Sequence, residues 1–196
     1  MYAAGLKRFL DLLFSCLLIA VLSPLLLIIA LWIRKDSPGG VIFWQRRIGK
    51  DRAEFRIAKF RTMRADTPGD VPTAELRDPG QWITRSGAFL RRTSLDELPQ
   101  LFNIFRGEMS FVGPRPALWN QADLIALREE GGANAVRPGL TGLAQVRGRD
   151  ELPVPVKAGF DAEYARRITF AADFRILVET VSGVLSQRGV REGSAR

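Results

Sequence analysis

Histidine is absent from the 196 residues. No imidazole base or imidazole metal ligand is therefore available, and any nucleophilic or acid–base chemistry falls to carboxylates, lysines and arginines. Cysteine occurs once, at Cys16 inside an apolar run, which excludes an intrachain disulfide and a cysteine metal cluster and fits a reducing, cytoplasmic setting. Internal repeats and low-complexity tracts are missing, as is the glycine spacing of a Walker loop or a dinucleotide fingerprint. Acidic residues are in deficit, 21 against 29 Lys and Arg, for a net charge of +8. That balance favours an anionic partner such as a phosphorylated substrate, a lipid headgroup or nucleic acid.

The length suits one domain with a core plus an appended element. Residues 12–33 are apolar apart from Ser15, Ser23 and Pro24, long enough to cross a bilayer as a helix. No small-residue cleavage site follows Trp32, which argues against a signal peptide. Lys7 and Arg8 precede the run, and Arg34 and Lys35 follow it, so neither end is preferred for the far side of a membrane. Pro24 denies the Ala20 carbonyl its helical donor, and the Ser23 hydroxyl is expected to bond back to Ile19 and help the chain bend. These features predict a re-entrant helix-break-helix hairpin over residues 1–36, broken at Ser23 and Pro24, with arms of roughly 15 to 18 Å. A proline-kinked span is the alternative.

Residues 37–188 read as the soluble domain, and the tail from 189 as frayed. The fold class expected is α/β-like, mostly helical with a small sheet. Strands are predicted at 41–44 and 54–60, with a basic turn at 45–50 between them. Residues 65–80 form an acidic, proline-rich loop with a mobile tip, and 110–116 (SFVGPRP) a rigid extended turn around Arg115. Helices are expected at 118–130, 160–171 and 174–187, the apolar faces of the last two lying on a membrane surface or in the core, with the core the preferred reading for 174–187. Residues 137–149 have the glycines and arginines of an anion-binding nest.

The densest chemistry lies in residues 89–116, where Asp96 and Glu97 sit among Arg91, Arg92, Arg106 and Arg115. Pro99 is tolerated only near a helix start, which places Asp96 at an N-cap with its carboxylate kept ionised by the helix dipole. Leu98, Leu101, Phe102 and Phe105 then form one apolar face. Adjacent helical side chains diverge by about 100°, so the two acids have separate jobs. A plain helix cap and a solvated glutamate are the bland reading of the pair.

KRFLDL, the mid-run Ser23-Pro24, QRRIG, KFRTM, SLDELPQ, NIFRGEMSFVGPRP and RPGLTGLAQVRGR occur in this order from about Leu6 to Gln187. In that order they resemble the bacterial sugar transferases, specifically the small monotopic phosphoglycosyl transferases, which include the initiator of bacterial N-glycan assembly. The resemblance implies a re-entrant enzyme on the cytoplasmic face of the bacterial inner membrane. It would transfer phosphosugar from a UDP-sugar to polyprenol phosphate (undecaprenyl phosphate), releasing UMP. By the same resemblance Asp96 is the nucleophile, forming a covalent aspartyl-phosphosugar. Glu97 serves as metal partner or proton acceptor, and Mg²⁺ is held near Asp96 and Glu97. Lys59, Arg91 and Arg115, with Arg137 and Arg147, are the phosphate-binding cations. Two departures stand out: Trp82 where many relatives carry arginine, and no tryptophan in 150–156.

Other function classes fit only parts of this. A membrane-anchored nucleic-acid binder shares the charge, but the arginines gather around Gly-Pro turns and acids rather than along a helix, so no nucleic-acid partner is expected. A UDP-sugar hydrolase would use the same dyad, with water resolving the intermediate. A noncatalytic scaffold would have no use for the paired acids.

Overall fold

The computed structural model describes residues 2–67, 78–148 and 152–185. The tip of the 65–80 loop, residues 149–151 and the tail from 189 lie outside the described residues. The described chain is mostly helical, with a three-stranded and a two-stranded sheet.

A single α-helix, α1 (Lys7–Asp36), follows a π-turn at Tyr2–Leu6. It runs unbroken through Pro24, where the sequence predicted a break. The reason is local: Ser23 Oγ donates to Ala20 O at 2.8 Å, supplying the carbonyl that Pro24 cannot. The hydroxyl thus serves Ala20 rather than Ile19. At about 1.5 Å per residue the helix extends about 45 Å.

The rest of the chain packs along α1. Leu18, Ile19 and Leu22 meet a core of Ile57, Leu101, Ile104 and Met109. About two to three turns later Ile29 and Ile33 join Phe60 and Leu90 in a second core. Burying side chains of this size contributes about 1.5–3 kcal/mol each. Both ends are also tied by polar bonds. Arg8 donates to the Ile104 and Phe105 carbonyls, Lys7 pairs with Asp173 at 2.5 Å, and Asp11 accepts from Ser110 Oγ and Phe111 N. At the other end Asp36 accepts from Ser86 N and Ser86 Oγ, both at 2.8 Å. The opposite face leaves Phe9, Leu13, Leu17, Val21, Ile28 and Leu31 exposed.

β1 (Ile42–Ile48) and β2 (Glu54–Phe60) form an antiparallel pair, and β4 (Ala117–Leu118) joins the free edge of β1, giving the order β2-β1-β4. β2 has the predicted bounds. β1 absorbs residues 45–48 of the expected basic turn, and the reversal falls at Gly49–Ala53, with Asp51 and Arg52 at positive φ. β3 (Ser110–Val112) pairs in parallel with β5 (Gly139–Thr141).

The helices are α2 (Arg85–Thr93), α3 (Gln100–Arg106), α4 (Ala122–Glu130), α5 (Leu143–Arg147), α6 (Val154–Arg166) and α7 (Phe170–Leu185). α4 starts later than expected because Ala117 and Leu118 are taken by the sheet. α6 starts earlier, since Pro155 sits in its first turn where no amide donor is required. α7 begins at Phe170 because Thr169 caps it, accepting at Oγ1 from Ala172 N. The core placement expected for this last helix is corrected: Phe170, Phe174, Val178 and Val181 are exposed, while Asp173 and Ile176 face inward. Asp173 accepts from Tyr2, Lys7 and Tyr164, so the charged residue anchors the helix to α1.

Candidate active site

Asp96 and Glu97 lie in a single 3₁₀ turn, Leu95–Glu97, between α2 and α3. Ser94, in the left-handed region at φ 57°, ends α2 and turns the chain. Pro99 itself is the N-cap of α3. The N-cap expected at Asp96 is therefore displaced by three residues: the turn closes with bonds from Glu97 N to Ser94 O and Leu98 N to Leu95 O, so Pro99 lacks nothing it needs. The expected apolar face of α3 also divides. Leu101 and Ile104 are buried, whereas Phe102 and Phe105 are 40% and 44% exposed. Asn103 pins the inner face to β2 through Ala58 N and Arg56 O.

Three of the five expected cations converge on the dyad. Lys59 Nζ, from the end of β2, donates to Glu97 Oε1 at 2.8 Å. Arg115 Nη2 reaches the same oxygen at 3.2 Å. Arg91 stands beside Asp96, held by a 2.8 Å bond from its Nε to Thr62 Oγ1. Burial pulls the Arg91 guanidinium below its ordinary value, with the Asp96 charge opposing. Thr62 was not legible as a site residue, since only the fold brings it to Arg91. Arg137 goes elsewhere: its Nε caps the end of α3 at Gly107 O. Arg147 is exposed at the end of α5, and among the described residues no hydrogen bond or ion pair links it to the dyad.

The two acids have opposite electrostatics. Burial pushes the Asp96 carboxyl up to about 6, and the Glu97 charge adds to this, outweighing Lys59, Arg91 and Arg115. Burial pushes Glu97 up as well, but Lys59 and Arg115, by charge and hydrogen bond, bring its carboxyl down to about 2. Asp96 is thus not kept ionised by a helix dipole. Glu97 is a clamped anion, while among the described residues no hydrogen bond reaches the Asp96 carboxylate. A half-buried carboxylate without donors is a better nucleophile than one tied to two cations.

Arg115 is held on a frame of closely packed backbone. A Cβ on Gly113 would lie 2.3 Å from Arg137 O, and one on Gly139 would lie 2.1 Å from Gly113 N, so the two segments require glycine to approach. Gly113 N bonds Thr141 O, and Gly139 N bonds Pro114 O. Part of the expected anion nest is accordingly a backing plate: the Gly139 amide points at protein carbonyl rather than outward.

Among the described residues no group of three or more acids, cysteines or histidines could cage a metal. The donor set still fits Mg²⁺, which binds through one or two carboxylates, waters and substrate phosphates. Asp96 is unbonded and Glu97 is engaged through Oε1.

The family described as Bacterial sugar transferase matches residues 2–187. A Caulobacter vibrioides UDP-glucose:undecaprenyl-phosphate glucose-1-phosphate transferase is 42% identical over 92% of this chain and 70% of its own length. The exopolysaccharide production protein PSS of Rhizobium leguminosarum is 40% identical over 93% of this chain and 96% of its own. An uncharacterized sugar transferase of Haemophilus influenzae is 37% identical over 94% of this chain, which spans only 42% of that protein. With matches of this extent across both α1 and the dyad, the chain belongs to the bacterial sugar transferase family.

Proposed function

We propose that the protein transfers a hexose 1-phosphate from a UDP-sugar to polyprenol phosphate, giving polyprenyl diphosphosugar and UMP. The observation that carries this reading is the asymmetry of the dyad: an unbonded, half-buried Asp96 beside a Glu97 clamped by Lys59 and Arg115. The Asp96 carboxylate attacks the sugar-bearing phosphorus, a new oxygen–phosphorus bond forms, and the diphosphate bridge breaks with its electron pair leaving on UMP. An oxygen of polyprenol phosphate then attacks the same phosphorus and releases Asp96 as carboxylate. Lys59, Arg91 and Arg115 outnumber the two acids, which leaves one positive charge to receive phosphoryl oxygens. Asp96 or Glu97, with the diphosphate of the substrate, would hold Mg²⁺, which would supply further positive charge there. Arg137, whose Nε is taken by Gly107 O, and Arg147, which among the described residues no hydrogen bond or ion pair links to the dyad, are given no part in the chemical step.

A lipid acceptor needs a site at the bilayer surface. α1 supports a monotopic anchor entering from the cytoplasmic face: both ends bond to one domain, both are basic, and the face turned away is apolar. Phe102 and Phe105, on the helix that follows the dyad, add further exposed apolar surface. The names of the Caulobacter and Rhizobium relatives make UDP-glucose the first donor to try and exopolysaccharide assembly the pathway.

UMP release from UDP-glucose with Mg²⁺ and undecaprenyl phosphate tests the proposal. Lipid-dependent release that Asp96→Asn abolishes is the expected result. Comparable release by Asp96→Asn would overturn the mechanism, and sugar phosphate formed equally without lipid would make the protein a hydrolase.

A further inference from the structure

Residues 113–116 read Gly-Pro-Arg-Pro, and two of the four have no amide proton with which to hold a loop in register. Beyond the Gly113 amide, which bonds Thr141 O, the loop is held by its carbonyls. Pro114 O accepts from Gly139 N at 2.9 Å, and Pro116 O accepts from Arg47 Nη1 at 2.9 Å. Arg115, between these two anchors, is the residue that reaches Glu97.

The first anchor is main chain and belongs to the frame behind the loop. The second is a side chain with an unusually fixed root. Arg47 lies on the middle strand of its sheet, its Cα paired with Phe55 on β2 and with Leu118 on β4. Its guanidinium is turned by Gln45, two positions back on the same strand face, whose Oε1 accepts from Nη2 at 2.5 Å. A planar guanidinium serves two acceptors at a fixed angle, which an ammonium does not. Lys59 is on the same face of the hairpin, opposite Phe43, so one sheet presents both a cation and the brace for a second cation.

We infer that Arg47 is a positioning residue: through the Pro116 carbonyl, and with Gln45 behind it, Arg47 fixes the loop that presents Arg115 to the dyad. The kinetic consequence rests on the phosphoryl-transfer reading above; the grip on the loop does not.

A double-mutant cycle separates action through Arg115 from general support of the fold. UMP release is measured for the full chain in detergent as wild type, Arg47→Gln, Arg115→Gln and the double variant. Arg47→Gln lowers kcat by about 100-fold, the size expected when a reacting group is displaced by about 1 Å. Arg47→Lys, which keeps one donor, recovers part of the loss. In the Arg115→Gln background the Arg47 change has little further effect; losses that multiply in full would overturn the inference. Hydrogen exchange gives a second reading that needs no activity. Arg115 and Ala117 carry the two amides of residues 114–117, and both exchange faster in Arg47→Gln while β2 keeps its protection. Unchanged exchange there would equally overturn it. Should Arg47→Gln fail to fold, Gln45→Met loosens the same guanidinium and is read by the same two measurements. A wild-type chain without UMP release would sink the reaction and leave the exchange result to decide Arg47.

Discussion

Replacing Asp96 by Asn should stabilise the protein, and replacing its neighbour Glu97 by Gln should destabilise it. The Asp96 carboxyl stands at about 6 against an ordinary 3.8. A raised acid is favoured neutral in the fold, so its relative stabilisation is complete below pH 4 and is lost as pH rises through about 6. At about 1.4 kcal/mol per unit, ionised Asp96 costs about 1–3 kcal/mol at pH 7.5, which the neutral amide avoids. Glu97 is the opposite case. Its carboxyl is brought from 4.5 to about 2, so its contribution is present above pH 5 and is lost as pH falls towards 2. Glu97→Gln removes that contribution and leaves Lys59 and Arg115 without their anion, for a loss of about 2–3 kcal/mol. Thermal unfolding at pH 7.5, both variants in the same detergent, should separate their midpoints on the order of 10 °C, with wild type between them. At pH 4.5 the Asp96→Asn gain should shrink to about a third. Two variants moving in the same direction at pH 7.5 would refute the division of labour between the acids.

Three other outcomes can be checked on the same preparation. kcat/KM for UMP release should fall tenfold per pH unit below about 6, as Asp96 protonates in the free enzyme; an acid limb near pH 4 would contradict its burial. Gln100 is 2% exposed, and among the described residues its Nε2 has no hydrogen-bond partner. Gln100→Met should therefore be neutral or stabilising by about 1 kcal/mol in urea unfolding, and a clear loss would mean that the amide is satisfied. Gly87→Ala would bring a Cβ to 2.0 Å from Thr62 O, backbone against backbone. It should cost about 3 kcal/mol or more and displace Arg91 with Thr62, seen as a lowered unfolding midpoint and lowered activity together.

How much of this was legible in the sequence depended on whether a feature is local. The alternation in EFRIAKF gave β2 its bounds, and the family resemblance, rather than any local pattern, singled out Lys59 together with Arg91 and Arg115. β1 was cut short because Gln45, Arg46 and Arg47 carry polar groups on both strand faces. Arg46 pairs with Glu54 on one face and Arg47 braces the loop on the other, so no alternation survives to be read. α2 left little trace, since RSGAFLRRT is short and contains a glycine whose need appears only when Thr62 packs on it. Pro24 announced a break that a single hydroxyl made good. Phe102, Phe105 and the α7 stripe misled for a different reason. Periodicity sorts residues into core and water, and an apolar side chain turned outward has no place in that scheme.

Because α1 supplies Leu18, Ile19 and Leu22 to one core and Ile29 and Ile33 to the other, it is a wall of the catalytic domain as much as an attachment for it. Trimming it away to obtain a soluble enzyme would open both cores along one side and free the cap of α2, the helix that carries Arg91. For a chain of this build, losing α1 and losing the fold are the same event.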